Sequence, residues 1–250
     1  MRRIVVAACV PALAAAAFAF ERDMIDLDVP TAVEARDGVL DIRHRFYGAV
    51  DEDPAGTLLG ITEGANVGLG FRYVIWSTLE VEPTFTTFQR EYTLGLNYSR
   101  PVGDILTVGG NVDFFSYDLP ELEDRRQNFF YALELAGTPL LGIVTPAVNI
   151  GYDAYEERVG AGVAVAVGFD RKGILKHVAF IGEYYPVIDA DEGRTGPEDS
   201  FAGGVELQTY GHHFTFLVGN NPQIGTRRLM LGAPGNELYF GFNIYRRIEF

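Results

Sequence analysis

The chain has 250 residues, 20 of them basic and 34 acidic, for a formal net charge of −14. So acidic a protein is a poor partner for nucleic acid, whose phosphates recruit basic surfaces. A mean hydropathy of +0.07 excludes a bundle of membrane helices. The 29 Gly, 13 Tyr and 18 Phe fit the composition of β-barrels with aromatic belts.

The first segment reads as a secretory signal peptide. Met1-Arg2-Arg3 is a short basic stretch, Ile4 to Ala17 is apolar, and Ala17-Phe18-Ala19 is a small-x-small cleavage pattern. The apolar run ends at Phe20, short for a membrane-spanning helix. Val6-Ala7-Ala8-Cys9 mimics a lipoprotein box but leaves too short a leader. Cleavage after Ala19 removes Cys9, Arg2 and Arg3, so the mature chain would carry no cysteine and a net charge of −16. It then has no disulfide, thiol nucleophile or thiolate metal site. The expected organisation is a signal peptide over 1–19, a periplasmic N-terminal segment over 20–37 and a barrel over 38–250.

From Gly38 onward the sequence alternates with period two, the mark of strands whose two faces meet different media. Leu40, Ile42 and Phe46 alternate with Asp41, Arg43 and Arg45. Further along, Tyr92, Leu94, Leu96 and Tyr98 alternate with Glu91, Thr93, Gly95 and Asn97. In another run, Val163, Val165, Val167 and Phe169 alternate with Gly162, Ala164, Ala166 and Gly168. Counting all such runs gives about twelve strands of roughly ten residues, the length of a tilted strand across a bilayer. The predicted fold is all-β, a single antiparallel up-and-down transmembrane barrel with both termini periplasmic.

Connection lengths support that assignment. One class is short: 73–77, 100–104, 137–142, 170–176 and 210–212. The alternate class holds every long connection, 47–63, 116–127, 188–200 and 219–236, along with two tight ones near Phe88 and Tyr155. Short turns inside and long loops outside are the outer-membrane arrangement. The chain ends in an alternating strand, Phe240, Phe242, Ile244, Ile248 and Phe250, expected to serve as a C-terminal signal for the barrel assembly machinery. Arg246 interrupts its apolar face and is expected to snorkel at the interface.

Three stretches resemble an uncharacterised family of bacterial outer-membrane β-barrel proteins, a domain of unknown function. They are Gly38-Val-Leu-Asp-Ile-Arg-His-Arg-Phe46, Glu63-Gly-Ala-Asn-Val-Gly-Leu-Gly-Phe-Arg-Tyr73, and the region from Tyr210-Gly-His-His-Phe-Thr-Phe-Leu-Val-Gly-Asn-Asn-Pro-Gln223 to Glu237-Leu-Tyr-Phe-Gly-Phe-Asn-Ile-Tyr-Arg246. The resemblance implies a barrel in the outer membrane. It supplies no activity, ligand or catalytic residue.

Chemistry-bearing residues are sparse. His44 shares the lipid-facing parity of Leu40 and Ile42, but no Ser or Cys falls on that face of the strands beside it, so a hydrolytic pair is not expected. His212 and His213 point opposite ways on a strand and do not chelate one metal. Gly160-Ala-Gly162 lacks the third glycine and helix of a phosphate-binding loop.

The polar faces define a candidate lumen lining of Asp41, Arg43, Arg45, Arg72, Glu80, Glu82, Glu91, Asp113, Glu134, Glu183, Glu206 and Glu237. In a wet pore these carboxylates favour cations; in a narrow barrel they close an internal network with the arginines. The long loops are acidic, suited to divalent-cation bridges to lipopolysaccharide, and Arg227-Arg228 is expected to meet phosphates there.

The leading functional expectation is a non-enzymatic outer-membrane barrel, a passive channel with mild cation preference. The alternative is a closed barrel with a structural or partner-binding role through its loops, and an interfacial lipid-modifying enzyme comes third. Expected partners are outer-membrane lipid, lipopolysaccharide and the assembly machinery, with no cofactor.

Overall fold

The computed structural model describes residues 24–30, 37–51, 54–76, 78–119, 124–171, 173–188 and 197–249. The expected signal peptide over 1–19, Phe250 and several acidic loop residues (Glu52, Asp53, Glu121, Glu123, Asp189, Asp191 and Glu192) lie outside them.

Twelve strands form one closed sheet. In chain order they are β1 Asp37–Ala49, β2 Ala65–Trp76, β3 Leu79–Thr86, β4 Glu91–Val102, β5 Leu106–Leu119 and β6 Asp124–Gly137. There follow β7 Val144–Asp153, β8 Arg158–Asp170, β9 His177–Tyr185, β10 Ser200–Gln208, β11 His212–Gly219 and β12 Tyr239–Glu249. Every strand pairs antiparallel with its chain neighbours, and β1 pairs with β12 to close the ring. A five-residue helix, α1 Thr226–Met230, sits in the last long connection. The predicted fold class is present.

The register shows why the sequence alternates. Leu69, Ile42, Ile244 and Phe214 lie side by side on β2, β1, β12 and β11, forming one stretch of an outward apolar ring. Leu94, Leu96, Leu133, Ile150, Val165 and Phe180 are all exposed on the same outer face. On the inner face Glu134, Asn149, Glu183, Glu206, Thr215 and Asn243 are buried. The molecule is thus apolar outside and polar within, the reverse of a soluble sandwich.

The interior is not uniform. On the β5–β11 side lies an apolar cluster of Phe115, Phe130, Ala164, Ala166, Ala179, Ile181, Tyr185 and Leu217. Met24, Ile25, Leu27 and Val29 from before β1 pack into it, as do Leu229 and Met230 of α1. The small inward residues of β8 make this room. A Cβ on Gly162 would lie 2.5 Å from a Leu27 methyl and 2.8 Å from the Tyr185 ring; one on Gly160 would lie 2.5 Å from Met230 Cβ.

Gly162→Val should therefore push residues 24–30 off the wall, at a cost of about 1–3 kcal/mol for the overpacking. Limited proteolysis of the folded barrel should cut near residue 27 in the variant and spare the wild type. Equal protection would show that the segment does not rest on Gly162.

Candidate functional site in the barrel lumen

Two segments meet inside the barrel. The first, residues 24–30, touches wall residues on β1, β5, β7, β9 and β12, a set of strands that only an internal segment can reach together. Within the expected periplasmic N-terminal segment, 20–37, residues 24–30 lie against the inner wall. They lie inside because Ile25, Leu27 and Val29 have an apolar wall to bury against.

A buried backbone must have every polar group satisfied. Glu183 on β9 accepts the N–H groups of Ile25 (2.6 Å), Asp26 (3.1 Å) and Leu27 (3.0 Å), and the Tyr185 hydroxyl (3.0 Å). Three successive N–H groups aimed at one carboxylate form an anion nest. Asn243 on β12 donates to the Ile25 carbonyl (2.7 Å), and Asn149 on β7 donates to that of Asp28 (2.7 Å). Thr226 of α1 donates its hydroxyl to the Asp26 carbonyl (2.7 Å) and accepts the Asp28 N–H (2.9 Å). The Leu27 carbonyl takes the Met24 N–H (3.0 Å). From 25 to 28, each backbone donor and acceptor is used.

Charge locks the same segment. Asp26 pairs with Arg45 (2.6 Å) and Arg43 (3.5 Å) and accepts the Gly225 N–H (3.2 Å). Arg43 also holds Asp41 (2.6 Å). The second segment is pinned by α1. Arg227 reaches Glu91 on β4 (2.6 Å) and Asp153 on β7 (2.8 Å), with its guanidinium 3.8 Å from the Phe115 ring centre. Burial, the largest influence on Arg227, disfavours its charge; the carboxylates of Glu91 and Asp153 outweigh it and hold the guanidinium above its ordinary range. Arg228 holds Glu91 from the other side through its Nε (2.6 Å) and bonds Gln89 (2.8 Å).

Beside this junction a cavity of about 100 Å³ remains on the β1–β5 side. Asp28, Asp41, Glu82, Glu91 and Asp113 line it together with Arg43, Arg227 and Arg228. Asn111 bridges Asp28 (3.2 Å) and Asp113 (3.3 Å), and Asn97 reaches Glu82 (3.4 Å).

Residues 150–248, from within β7 to β12, match a family described as a membrane bound beta barrel domain (DUF5777). The match is to a membrane barrel. It covers the whole of the third stretch that carried the resemblance, Tyr210 to Arg246, and neither of the first two. No curated protein matches the chain. Among solved structures, LpxR from Salmonella typhimurium is 12% identical with a TM-score of 0.48, over 86% of this chain and 100% of that one. The Acinetobacter baumannii outer membrane protein Omp33 is 10% identical with a TM-score of 0.45, over 87% of this chain and 100% of that one. OprD from Pseudomonas aeruginosa is 13% identical with a TM-score of 0.32, over 74% of this chain and 59% of that one.

Of the expected lumen residues, Asp41, Arg43, Arg45, Arg72, Glu80, Glu91, Glu134, Glu183 and Glu206 are buried on the inner face. Glu82 and Asp113 are half-buried at the cavity. Arg72 and Glu80 form an ion pair at 3.5 Å. Glu237 is a correction: it precedes β12, is exposed, and accepts the Tyr239 hydroxyl (3.1 Å). Phe240, Phe242, Ile244 and Ile248 alternate with the buried Gly241, Asn243 and Tyr245. Arg227 and Arg228 are the second correction. They are not phosphate contacts on an outer loop but the internal partners of Glu91 and Asp153, because their connection folds inward.

His44 stacks on Phe242 with centroids 4.6 Å apart, between Val67 and Phe242 in register. His212 meets Arg246, whereas His213 faces inward, bonded to Gln208 and 3.8 Å from Glu206. Sequence reasoning missed Asp26, Asp28, Asn149, Asp153, Thr226 and Asn243. One signal for the first two stood in the text: Ile25, Leu27 and Val29 alternate with Asp26 and Asp28 ahead of the first strand.

Removing Arg227 should leave Asp153 buried without its countercharge, while Glu91 keeps Arg228. Arg227→Met is expected to destabilise the barrel by about 3–5 kcal/mol, and the double change Arg227→Met, Asp153→Asn, which leaves the Arg228–Glu91 pair in place, by much less. Urea unfolding of the refolded protein checks this. Equal losses in both would show that the ion pairs do not hold α1.

Proposed function

We propose that this protein is a non-enzymatic outer-membrane barrel kept closed by its own chain, not a permanently open passive channel. The observation that carries this reading is the contact between the two internal segments: Thr226 of α1 bonds Asp26 and Asp28 at mid-lumen. A porin-scale route would have to pass that junction, and the cavity beside it has a volume of about 100 Å³. The cation preference expected from the wall belongs to the opened state. Without residues 24–30, the lumen would present Asp41, Glu82, Asp113, Glu134, Glu183 and Glu206 against Arg43, Arg45 and Arg72.

A loop-based role has one supporting observation. The β1–β2 connection exposes Leu58, Leu59 and Ile61, with Leu58 and Leu59 both in the left-handed region (φ 49° and 60°). Apolar side chains held out on a strained tip suit contact with a partner protein.

Planar-bilayer recordings test the closed reading. Wild-type protein should give no steady conductance steps, and deletion of residues 20–30 should give steps that favour cations. Steady steps from the wild type, or a folded deletion variant that stays silent, would overturn it.

A further inference from the structure

The end of the barrel opposite α1 carries five hairpin turns, and each throws one large apolar or aromatic side chain outward. These are Trp76, Ile105, Leu141, Ile174 and Tyr210, between 64% and 96% exposed. Within the belt, Leu94 and Phe180 reach 53% and 56%. Leu141 adopts φ +54°, a conformation that ordinarily goes to Gly or Asn, and is the most exposed of the five. Tips that meet only water usually carry polar turn residues.

Basic residues stand among these tips. Arg100 and Arg246 lie exposed on the outer face in the last residues of β4 and β12, and Arg171 and Lys176 flank the β8–β9 turn. Lys176 lies 4.2 Å from the ring centre of Tyr210. Among the described acidic residues at this end, Asp37 pairs with Arg247 (2.6 Å), Asp170 bonds His177 (2.9 Å) with its own side chain exposed, and Asp104 is exposed. At the other end acidic groups predominate, with Asp51, Glu63, Asp124, Glu156, Glu157 and Glu198 all exposed beside Arg90 and Arg125.

We propose that the short-turn end is a rim that docks on anionic phospholipid headgroups. The five tips enter the border of the hydrocarbon, where aromatic and aliphatic side chains are favoured. Arg100, Arg171, Lys176 and Arg246 take the phosphates, because basic groups gather at an anionic lipid surface. The charge asymmetry orients the barrel, with the acidic loops directed away from the phospholipid leaflet.

The sole tryptophan reports on this directly. Trp76 sits at the β2–β3 turn, next to β4, where Ser99 donates its N–H to the Thr78 carbonyl (3.0 Å) and so places Arg100 close by. The full chain is folded into phosphatidylcholine vesicles containing equal fractions of brominated phosphatidylglycerol or brominated phosphatidylcholine. The expected result is stronger quenching of Trp76 by the anionic lipid, with the excess lost at high salt and in Arg100→Glu. Should that variant fail to fold, the salt series on the wild type must still abolish the excess. Equal quenching by both lipids overturns the proposal, as does no quenching by either.

Discussion

Twelve strands enclose more space than their own inward side chains fill. An eight-stranded barrel is just packed by its side chains, and wider ones hold water or a plug. Here the space is filled mainly by two pieces of the same chain, one from before the first strand and one from the last connection. Two features of the inner wall follow from that need. The glycines and alanines of β8 stand where residues 24–30 and α1 press closest. The amides and carboxylates stand where the backbone of the first segment must be satisfied.

The two halves of the lumen solve the filling problem differently. On the β5–β11 side, apolar residues of both segments meet apolar wall, and burial of hydrocarbon supplies the attraction. On the β1–β5 side, charged groups compensate one another across the lumen: Asp26 with Arg43 and Arg45, Arg227 with Glu91 and Asp153. Such pairs add little net stability over a well-packed apolar core, but breaking one partner is costly. They fix where each segment sits. A five-residue helix has no stability of its own, so α1 exists because Arg227, Leu229 and Met230 are anchored.

The wall was legible in the sequence because each strand alternates in a medium that penalises error. A one-residue slip turns every polar side chain into lipid. That is why Asp41, Arg43, Glu134, Glu183 and Glu206 could be assigned to the inner face from parity alone. The contents of the lumen were not legible in the same way. Asp26 and Asp28 precede the barrel by only a few residues, and nothing local says that a short alternating run turns inward. Arg227-Arg228 reads as a surface pair because its partners, Glu91 and Asp153, lie 136 and 74 residues away in the chain. Glu237 failed for a simpler reason: the alternation continues two residues beyond the hydrogen-bonded ladder, which starts at Tyr239.

The proposed closed state sets the terms for function. Any solute would have to wait on displacement of one internal segment, and the seat on Glu183 holds the first of them through its backbone as well as through Asp26. The most direct test of the account is a crosslink between the two segments. With Cys9 replaced by Ala, cysteines at Asp28 and Thr226 should form a disulfide under mild oxidation once the barrel is folded in membranes. Two free thiols, both open to a water-soluble reagent in the folded protein, would contradict it.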